Sequence, residues 1–295
     1  MTNLATAAKK TSLRLAWATD THLDHIVHEP AMFRAFVNSI LKTHNAKGLL
    51  LTGDISNGHY LEEHLKALHR GLGASFPIWY VCGNHDYYHG SIEQIRKTLR
   101  TLESAIPELC WLGDTTFVPV GIDTALVGHD GWYDGLYSPI ANSRLLMNDF
   151  FHIKELSGLH SFRSGYPVVH VEGGPLHLKM QSLAQEGADH IRMGVKDAIA
   201  NGYENILIAT HVAPFPQNSL YKGKQSDEDW MPFFSSKIMG ETILDLVDAN
   251  PSVKFRVLCG HNHHKATFTA FRENLVCDTG TAAYGYPAVE QVIEL

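Results

Sequence analysis

Cysteine is scarce in this sequence: there are four in 295 residues, and none of them forms a C-x-x-C pair. So few thiols exclude a disulfide scaffold and a cysteine-rich structural zinc site. Long apolar runs are missing too, because no stretch approaches the roughly 18 residues of a membrane span and the N-terminus lacks the apolar core of a signal peptide. These absences predict a soluble, cytoplasmic protein with no membrane attachment.

Positive charge is also in short supply, since 24 Lys and Arg residues face 31 Asp and Glu residues and the formal net charge is −7. A protein that holds nucleic acid uses many Lys and Arg contacts to phosphates. The composition therefore argues against a nucleic-acid polymer as a partner. It leaves room for a small phosphate-bearing substrate, because bound metal ions supply positive charge locally.

Histidine is abundant by contrast, with 19 copies, and three of them fall in the pentapeptide G-H-N-H-H at residues 260–264. At that density chance alone produces about one His-x-His pair, so the motif is weak evidence when taken by itself. Whether it belongs to a metal site depends on where other ligands lie in the chain.

Polar clusters recur where short β-prone apolar runs end. The sequence predicts five such strands, at residues 13–19, 49–52, 78–82, 206–210 and 253–259. Apolar residues with helical period lie between them, at residues 33–41, 61–72, 92–102 and 239–247. Strands that alternate with helices predict an α/β fold, in which ligands gather at the carboxyl ends of the strands.

The remaining parts of the chain are predicted to complete the same single domain, residues 1–295. Further strands are expected at residues 124–127, 266–272, 275–278 and 289–294. The segment from about 130 to 201 shows no regular pattern, and we expect it to be an irregular excursion from the domain.

The predicted strand ends carry carboxylates, imidazoles and one carboxamide, but no thiolate. This set suits divalent transition metals such as Mn, Fe or Zn. It also contains more groups than one tetrahedral ion needs, whereas two ions that share a bridging carboxylate would use them. The residues are Asp20, His22, Asp54, Asn84, His85, His211, His261 and His263.

Five short motifs in this order resemble those of the calcineurin-like metallophosphoesterases. They are D-T-H at 20–22, G-D at 53–54, G-N-H-D at 83–86, a lone histidine at 211, and G-H-N-H at 260–263. Together they span most of the chain. The resemblance implies a four-layer αββα sandwich, with two mixed β-sheets flanked by helices and a binuclear metal site at the carboxyl ends of strands.

The resemblance also implies a role for each motif residue. Asp20, His22 and His263 would hold one metal ion, and Asn84, His211 and His261 would hold the other. Asp54 would bridge the two ions. His85 would face the substrate as the catalytic histidine, without binding a metal.

Such a site implies hydrolysis of phosphate esters by a hydroxide that bridges two metal ions and attacks phosphorus. His85 would donate a proton to the leaving group. We expect a phosphodiesterase for small or nucleotide-like diesters. The alternatives are a phosphomonoesterase or protein phosphatase, a nuclease, and a non-catalytic scaffold of the same fold; the sequence leaves metal identity and oligomeric state open.

One position departs from the resemblance. Some branches of the family carry, three residues after the bridging aspartate, an aspartate that orients the catalytic histidine or a tyrosine that binds ferric iron. This chain has Asn57 there. The missing tyrosine argues against a ferric site, and the missing carboxylate leaves Asp86 as a candidate to orient His85.

Several other residues near the motifs have weaker functional interpretations. In G-H-D-G-W-Y-D-G, residues 128–135, we expect the histidine and aspartate to close a turn and the two aromatic rings to be buried. His25, His28 and His264 are expected to be bystanders. Arg144 and Arg163 are candidates for phosphate contacts.

Overall fold

The computed structural model describes residues 13–163, 166–269 and 272–295. Its strands, in chain order, are β1 (Arg14–Ala18), β2 (Gly48–Thr52), β3 (Ile78–Val81), β4 (Leu109–Trp111), β5 (Val118–Pro119), β6 (Thr124–Gly128), β7 (Ser161–Arg163), β8 (Tyr166–Val168), β9 (Asn205–Ala209), β10 (Leu220–Tyr221), β11 (Lys224–Gln225), β12 (Lys254–Cys259), β13 (Ala266–Phe268), β14 (Leu275–Thr279) and β15 (Gln291–Glu294). Its α-helices are α1 (Pro30–Asn38), α2 (Leu61–Leu72), α3 (Ile92–Ala105), α4 (Asp149–His152), α5 (Pro175–Ala200), α6 (Met231–Phe234) and α7 (Lys237–Ala249).

Two mixed sheets form the centre of the described part. The first has the strand order β15-β1-β2-β3-β4, and only β15 is antiparallel to its neighbour. The second has the order β13-β14-β12-β9-β6-β5, in which the four central strands are parallel and the two edge strands are antiparallel. Parallel strands bring their carboxyl ends to one edge of a sheet.

Side chains along the strands alternate between an inner and an outer core, as the two-residue period of a strand requires. Leu15 and Trp17 of β1 join the core between the two sheets, and Ala16 and Ala18 face the opposite way. The outer face of the first sheet packs under α1, α2 and α3, and the outer face of the second packs under α5 and α7. These layers confirm the predicted four-layer αββα class.

The segment from 130 to 201 is more regular than the sequence indicates. Residues 175–200 form α5, the longest helix of the described ranges, so the prediction of irregular structure is wrong there. The buried face of α5 includes Ala184, Gly187, Ala188 and Gly194, together with larger residues such as Ile191. Small residues let the helix pack closely on the sheet, but they give only a weak apolar period in the sequence.

Some predictions fall partly outside the described ranges. The predicted absence of a signal-peptide core concerns residues 1–12 above all, and the predicted strand 266–272 includes residues 270 and 271, which also lie outside them. Among the residues that are described, no helix has both the length and the apolar content needed to cross a membrane.

Candidate metal centre

The predicted site residues converge where central strands of both sheets end. Asp20 and Asp54 follow β1 and β2, and Asn84 follows β3. His211 and His261 follow β9 and β12 of the second sheet. All five are buried, with exposed fractions of 8% or less. The structure thus brings the motifs together from across the chain.

The backbone at this site is strained. Eight non-glycine residues of the described ranges have a positive φ, and five of these are predicted metal ligands. Left-handed backbone at a residue other than glycine costs roughly 1–3 kcal/mol and is concentrated at functional sites. The five ligands are Asp20 (φ 46°), His22 (φ 40°), Asp54 (φ 48°), His261 (φ 71°) and His263 (φ 56°).

Two positions next to predicted ligands must be glycine, because their backbone lies too close to a carboxylate for a side chain to fit. A Cβ atom on Gly83 would lie 2.1 Å from Asp54 Oδ1, and one on Gly260 would lie 2.1 Å from Asp20 Oδ2. Neither distance is compatible with a side chain. The two glycines therefore allow the strand ends to close around the carboxylates.

A first set of converging atoms comes from Asp20, His22, Asp54 and His263, with one ligand atom of each within 4.8 Å of the others. His22 Nε2 lies 3.1 Å from His263 Nε2. His263 Nε2 lies 3.3 Å from Asp20 Oδ1, and His22 Nε2 lies 3.8 Å from Asp54 Oδ2.

A second set comes from Asp54, Asn84, His211 and His261. Asn84 Oδ1 lies 3.2 Å from His211 Nε2 and 3.0 Å from His261 Nδ1. These two imidazole nitrogens are 3.2 Å apart. His211 Nε2 is also 3.4 Å from Asp54 Oδ1. The amide oxygen and the two nitrogens therefore face a common point.

The spacing within both sets fits metal coordination. Bonds of about 2.1 Å separate neighbouring ligand atoms by about 3.0 Å in an octahedron and about 3.4 Å in a tetrahedron. Asp54 presents Oδ2 to the first set and Oδ1 to the second. Nitrogen and oxygen donors without thiolates suit Mn, Fe or Zn. The side chains thus fit two divalent ions that share the Asp54 carboxylate.

Burial and charge set the protonation of these groups in the metal-free protein. Burial lowers the pKa of His22 to about 3, and burial together with the charge of His211 lowers the pKa of His261 to about 4. Burial opposes a high pKa at His211, but the charge and hydrogen bond of Asp54 outweigh it and raise the pKa to about 10. His22 and His261 are therefore neutral at pH 7, as metal binding requires, whereas His211 is protonated and would have to lose a proton to bind a metal.

The carboxylates are ionised despite their burial. Burial raises the pKa of Asp20, but a hydrogen bond with His263 and the charge of His211 outweigh this effect and bring the pKa to about 2. Burial likewise opposes ionisation of Asp54, while His211 and His85 hold its pKa well below the usual value. Both carboxylates are thus ready to bind a cation.

Backbone carbonyls orient two of the histidines. His211 Nδ1 lies 2.9 Å from the carbonyl oxygen of Thr52, and His261 Nε2 lies 2.9 Å from that of Phe233. A nitrogen that faces a carbonyl carries a hydrogen, so in the neutral ring the other nitrogen carries the lone pair. These contacts direct His211 Nε2 and His261 Nδ1 toward Asn84 Oδ1.

Asp149, which sequence reasoning missed, orients Asn84. Its Oδ1 accepts a hydrogen bond of 3.0 Å from Asn84 Nδ2, and the same carboxylate accepts bonds from the hydroxyls of Tyr88 and Tyr133. With its amino group held in this way, Asn84 points its oxygen at the second set. Asp149 lies 65 residues from Asn84, in the segment without a recognisable pattern, so no local motif identifies it.

His85 lies beside the first set without joining it. Its Nε2 is 3.9 Å from Asp54 Oδ2, and its ring stacks on Tyr88 at a centroid distance of 4.3 Å. About 22% of its side chain is exposed. An imidazole that is held by stacking and open to the cleft can reach a substrate.

Asp86 does not orient His85, so that hypothesis is wrong. Its carboxylate accepts hydrogen bonds from the backbone N–H groups of residues 55–56 and of Gly83, at 2.8–3.3 Å. Asp86 therefore ties the loop after β2 to the loop after β3. The structural partner of the His85 ring is the stacked Tyr88.

Of the predictions for residues 129–133, the turn at His129 and the burial of the two rings are confirmed, but Asp130 does not close a turn. Trp132 and Tyr133 are buried in the core. His129 Nδ1 accepts a hydrogen bond from the backbone of Gly131 and so closes a turn. Asp130 is buried and accepts hydrogen bonds from four donors of the described residues.

The other candidates from the sequence are Asn57, Arg144 and Arg163. Asn57 donates to Asp24 at 3.3 Å. Arg144 is largely exposed and pairs with Asp229 at 2.6 Å, so it is not a phosphate contact in this structure. The side chain of Arg163 lies outside the described residues.

Two of the three neighbouring histidines contact tyrosines. The His25 ring lies 4.6 Å from the Tyr284 ring, and the His264 ring lies 4.9 Å from the Tyr221 ring. His28 is exposed. Tyr284 itself lies 4.5 Å from the His22 ring, a contact that the sequence did not indicate.

A cleft of about 990 Å³ opens over the two sets. Its inner wall includes Asp54, Asn84 and His85, and its outer part is bordered by aromatic residues, two lysines and the segment 146–148. Ligand sites for organic molecules measure roughly 300–1,000 Å³. The cleft is therefore much larger than a phosphate group requires.

Several solved structures are similar to this one. Phosphopantetheinyl hydrolase from Mycobacterium tuberculosis is 12% identical, with a TM-score of 0.64 over 97% of this chain and 96% of that one. A dimetal phosphatase from Danio rerio is 15% identical, with a TM-score of 0.56 over 92% and 88%. The protein TT1561 from Thermus thermophilus is 14% identical, with a TM-score of 0.50 over 92% and 90%. No family model and no curated protein matches the sequence.

These likenesses establish the fold. The chain has the calcineurin-like metallophosphoesterase fold that its five motifs predict. At 12–15% identity the similarity extends to architecture alone.

Proposed function

We propose that the protein is a hydrolase of phosphate esters that uses two divalent transition metal ions, and that its substrates are small or nucleotide-like phosphodiesters. The observation that carries this proposal is the position of Asp54, whose two carboxylate oxygens face two separate sets of ligand atoms. Two-ion sites of this kind serve hydrolysis at phosphorus. The names of two similar structures, a phosphopantetheinyl hydrolase and a dimetal phosphatase, support the same class.

The proposed ligands divide between the ions as the two sets do. Asp20, His22 and His263 hold the first ion, and Asn84, His211 and His261 hold the second, with Asp54 in common. When bound, such ions polarise a phosphoryl oxygen and lower the pKa of water. Asn84 contributes an uncharged oxygen, which leaves more positive charge on its side of the site than a carboxylate would.

His85 is the proposed catalytic residue. Stacking on Tyr88 fixes its ring at the edge of the cleft, and its partial exposure lets it meet the leaving group. An imidazole there can give a proton to the departing alkoxide. Two contacts with Asp54 support this role: the backbone N–H of His85 donates to Asp54 Oδ1 at 2.9 Å, and its ring lies 3.9 Å from Oδ2.

The lining of the cleft supports a diester more than a monoester. A monoester carries a second negative charge on the reacting phosphate, which sites commonly meet with arginine forks. Among the described residues that line the cleft there is no arginine, and its two lysines, Lys222 and Lys224, belong to the outer part rather than to the inner wall. The size of the cleft also leaves room for a substantial group on each side of the phosphate.

Metal analysis and a pair of substrates test the proposal. Protein supplied in turn with Mn, Fe and Zn should retain close to two ions per chain and hydrolyse bis(4-nitrophenyl) phosphate faster than 4-nitrophenyl phosphate. Asp54→Asn should abolish hydrolysis and weaken metal retention, because it removes the charge shared by both sets. Asp197→Asn, at an exposed position on α5, is the matched control.

Some results would contradict the proposal. A chain that holds two ions and cleaves neither ester would be a non-catalytic scaffold. Faster cleavage of the monoester would make it a phosphomonoesterase, and cleavage of single-stranded DNA in preference to both esters would make it a nuclease. Full activity in Asp54→Asn would show that Asp54 does not bridge the two ions.

A further inference from the structure

A short hairpin forms one side of the outer cleft. It consists of β10 and β11, joined by Lys222 and Gly223, which both have positive φ as a tight two-residue turn requires. Tyr221, Lys222 and Lys224 line the cleft together with the metal-ligand sets. The hairpin therefore projects side chains into the same space as the proposed reaction site.

The hairpin is positively charged although the protein is acidic. Residues 219–226, S-L-Y-K-G-K-Q-S, contain two lysines and no acidic residue, in a chain with a net charge of −7. Lys222 lies 5.1 Å from the Tyr221 ring centroid, and neither lysine has an ion-pair partner within the described residues. Both ammonium groups are thus available to an anion.

A carboxylate that follows the hairpin in the sequence also borders the cleft. Asp227 borders the cleft, but its Oδ1 accepts hydrogen bonds from the backbone N–H groups of Asp229 and Trp230, at 3.1 and 3.2 Å. It holds the start of α6 in place. Among the described residues, no ion pair joins Asp227 to Lys222 or Lys224.

An aromatic wall connects the hairpin side of the cleft to the second set. Phe234 lies 5.1 Å from the His261 ring, and Trp230 lies 4.9 Å from Phe234. Trp230 is 41% exposed, as is unusual for so large an apolar ring. A planar or apolar group that leaves the proposed metal site would pass along this wall.

We propose that the outer cleft binds a second phosphate of the substrate, held by Lys222 and Lys224, while the linking group lies on Trp230. The substrate class is then a phosphodiester, such as a nucleotide ester, that carries a further phosphate away from the bond that is cleaved. Exposed lysine–phosphate pairs are charge-assisted but weakened by solvent and salt. This proposal rests on the proposed function in one respect, namely that the ester bond that is cleaved lies at the two-metal site.

Two nucleotides that differ only in the remote phosphate test this proposal. Calorimetric titration of the metal-loaded protein compares thymidine 5′-monophosphate with thymidine 3′,5′-bisphosphate. Two exposed ion pairs should make the bisphosphate bind about twofold to thirtyfold tighter, and this advantage should shrink at high salt. Lys222→Ala with Lys224→Ala should remove the advantage, and Lys222→Arg with Lys224→Arg should keep it.

A matched control has the same change of charge elsewhere. Lys97→Ala with Lys196→Ala removes two exposed lysines from α3 and α5, outside the cleft. It should preserve the preference for the bisphosphate. Equal binding of both nucleotides to the native protein, or an undiminished preference in the hairpin variant, would overturn the proposal.

Hydrolysis of the 5′-(4-nitrophenyl) esters of the same two nucleotides separates this proposal from the proposed function. If the bisphosphate preference depends on the hairpin lysines but neither ester is cleaved, the second-phosphate site stands and the proposed hydrolysis fails. If both esters are cleaved with the same KM, the hydrolysis stands and the second-phosphate site is wrong.

Discussion

Substitution of Asp149 by asparagine is expected to weaken the second metal position selectively. The Asp149 carboxylate is fully buried and accepts hydrogen bonds from Asn84, Tyr88 and Tyr133. Asparagine keeps the shape but replaces one acceptor oxygen with an amino group. One acceptor oxygen is then left for three donors. The Asn84 amide is therefore held less firmly with its amino group toward residue 149 and its oxygen toward the proposed metal position.

The expected magnitude follows from the role of Asp149. Groups that orient a ligand typically change metal affinity by about 10- to 100-fold, which is about 1.4–2.7 kcal/mol. Only one of the two sets contains Asn84, so the loss should fall on one ion. The substitution also leaves one of the buried donors around residue 149 without an acceptor, which should lower the free energy of unfolding by about 1–3 kcal/mol.

Equilibrium dialysis against graded Zn or Mn, followed by metal analysis, measures this effect. The Asp149→Asn protein should bind one ion with native affinity and the other more weakly. Tyr133→Phe is the control, because it removes one donor to Asp149 and leaves the bond to Asn84 in place. If Asp149→Asn binds both ions as tightly as the native protein, Asn84 is not oriented by Asp149 or is not a ligand.

Two other predictions concern histidines. His85→Ala should reduce turnover by about 10²- to 10⁴-fold and keep both ions; loss of metal would make His85 a ligand, and His28→Ala is the exposed control. Burial lowers the pKa of His129 from 6.5 to about 4, so the unfolded chain binds more protons between these values. Stability is therefore highest above pH 6.5 and falls as the pH drops toward 4, by about 3 kcal/mol from this residue. Urea unfolding of metal-free protein should show a shallower pH dependence in His129→Gln, and equal slopes would refute this.

The positions of the motif residues could be predicted from the sequence because they depend on local patterns. A buried run of apolar residues predicts a strand, and the polar residue that follows it must lie at the strand end. The central strands β1, β2, β3, β9 and β12 all begin and end within about two residues of their predicted limits. The resemblance then supplied the order in which the strand ends meet.

The supporting residues could not be predicted in the same way. Asp149 reaches Asn84 across 65 residues, and Tyr284 reaches His22 across most of the chain. Such contacts depend on how the segments around them fold back, and no local period encodes that. The helix α5 was missed for a related reason, since glycine and alanine at its buried face carry little apolar signal.

Buried carboxylates that are not ligands explain how a strained site keeps its shape. Asp86 holds the loops after β2 and β3 together, and Asp130 accepts from the backbone of Cys82 at 2.9 Å and from the Trp111 ring. Asp149 fixes the amide of Asn84. Each of these carboxylates accepts three or four hydrogen bonds from the protein and in this way holds backbone and side chains in place.

Asp54 differs in this respect. Asp54 accepts the backbone N–H of His85 through Oδ1, and its Oδ2 faces only imidazole rings at 3.8 and 3.9 Å among the described residues. A buried, ionised oxygen without a close donor is costly unless a cation meets it. Asp54 therefore keeps an oxygen free for a cation, as a bridging ligand would need. Asp20 shows that donor number alone does not mark a ligand, because it accepts hydrogen bonds from the Thr19 hydroxyl at 2.6 Å and the His261 backbone N–H at 3.0 Å.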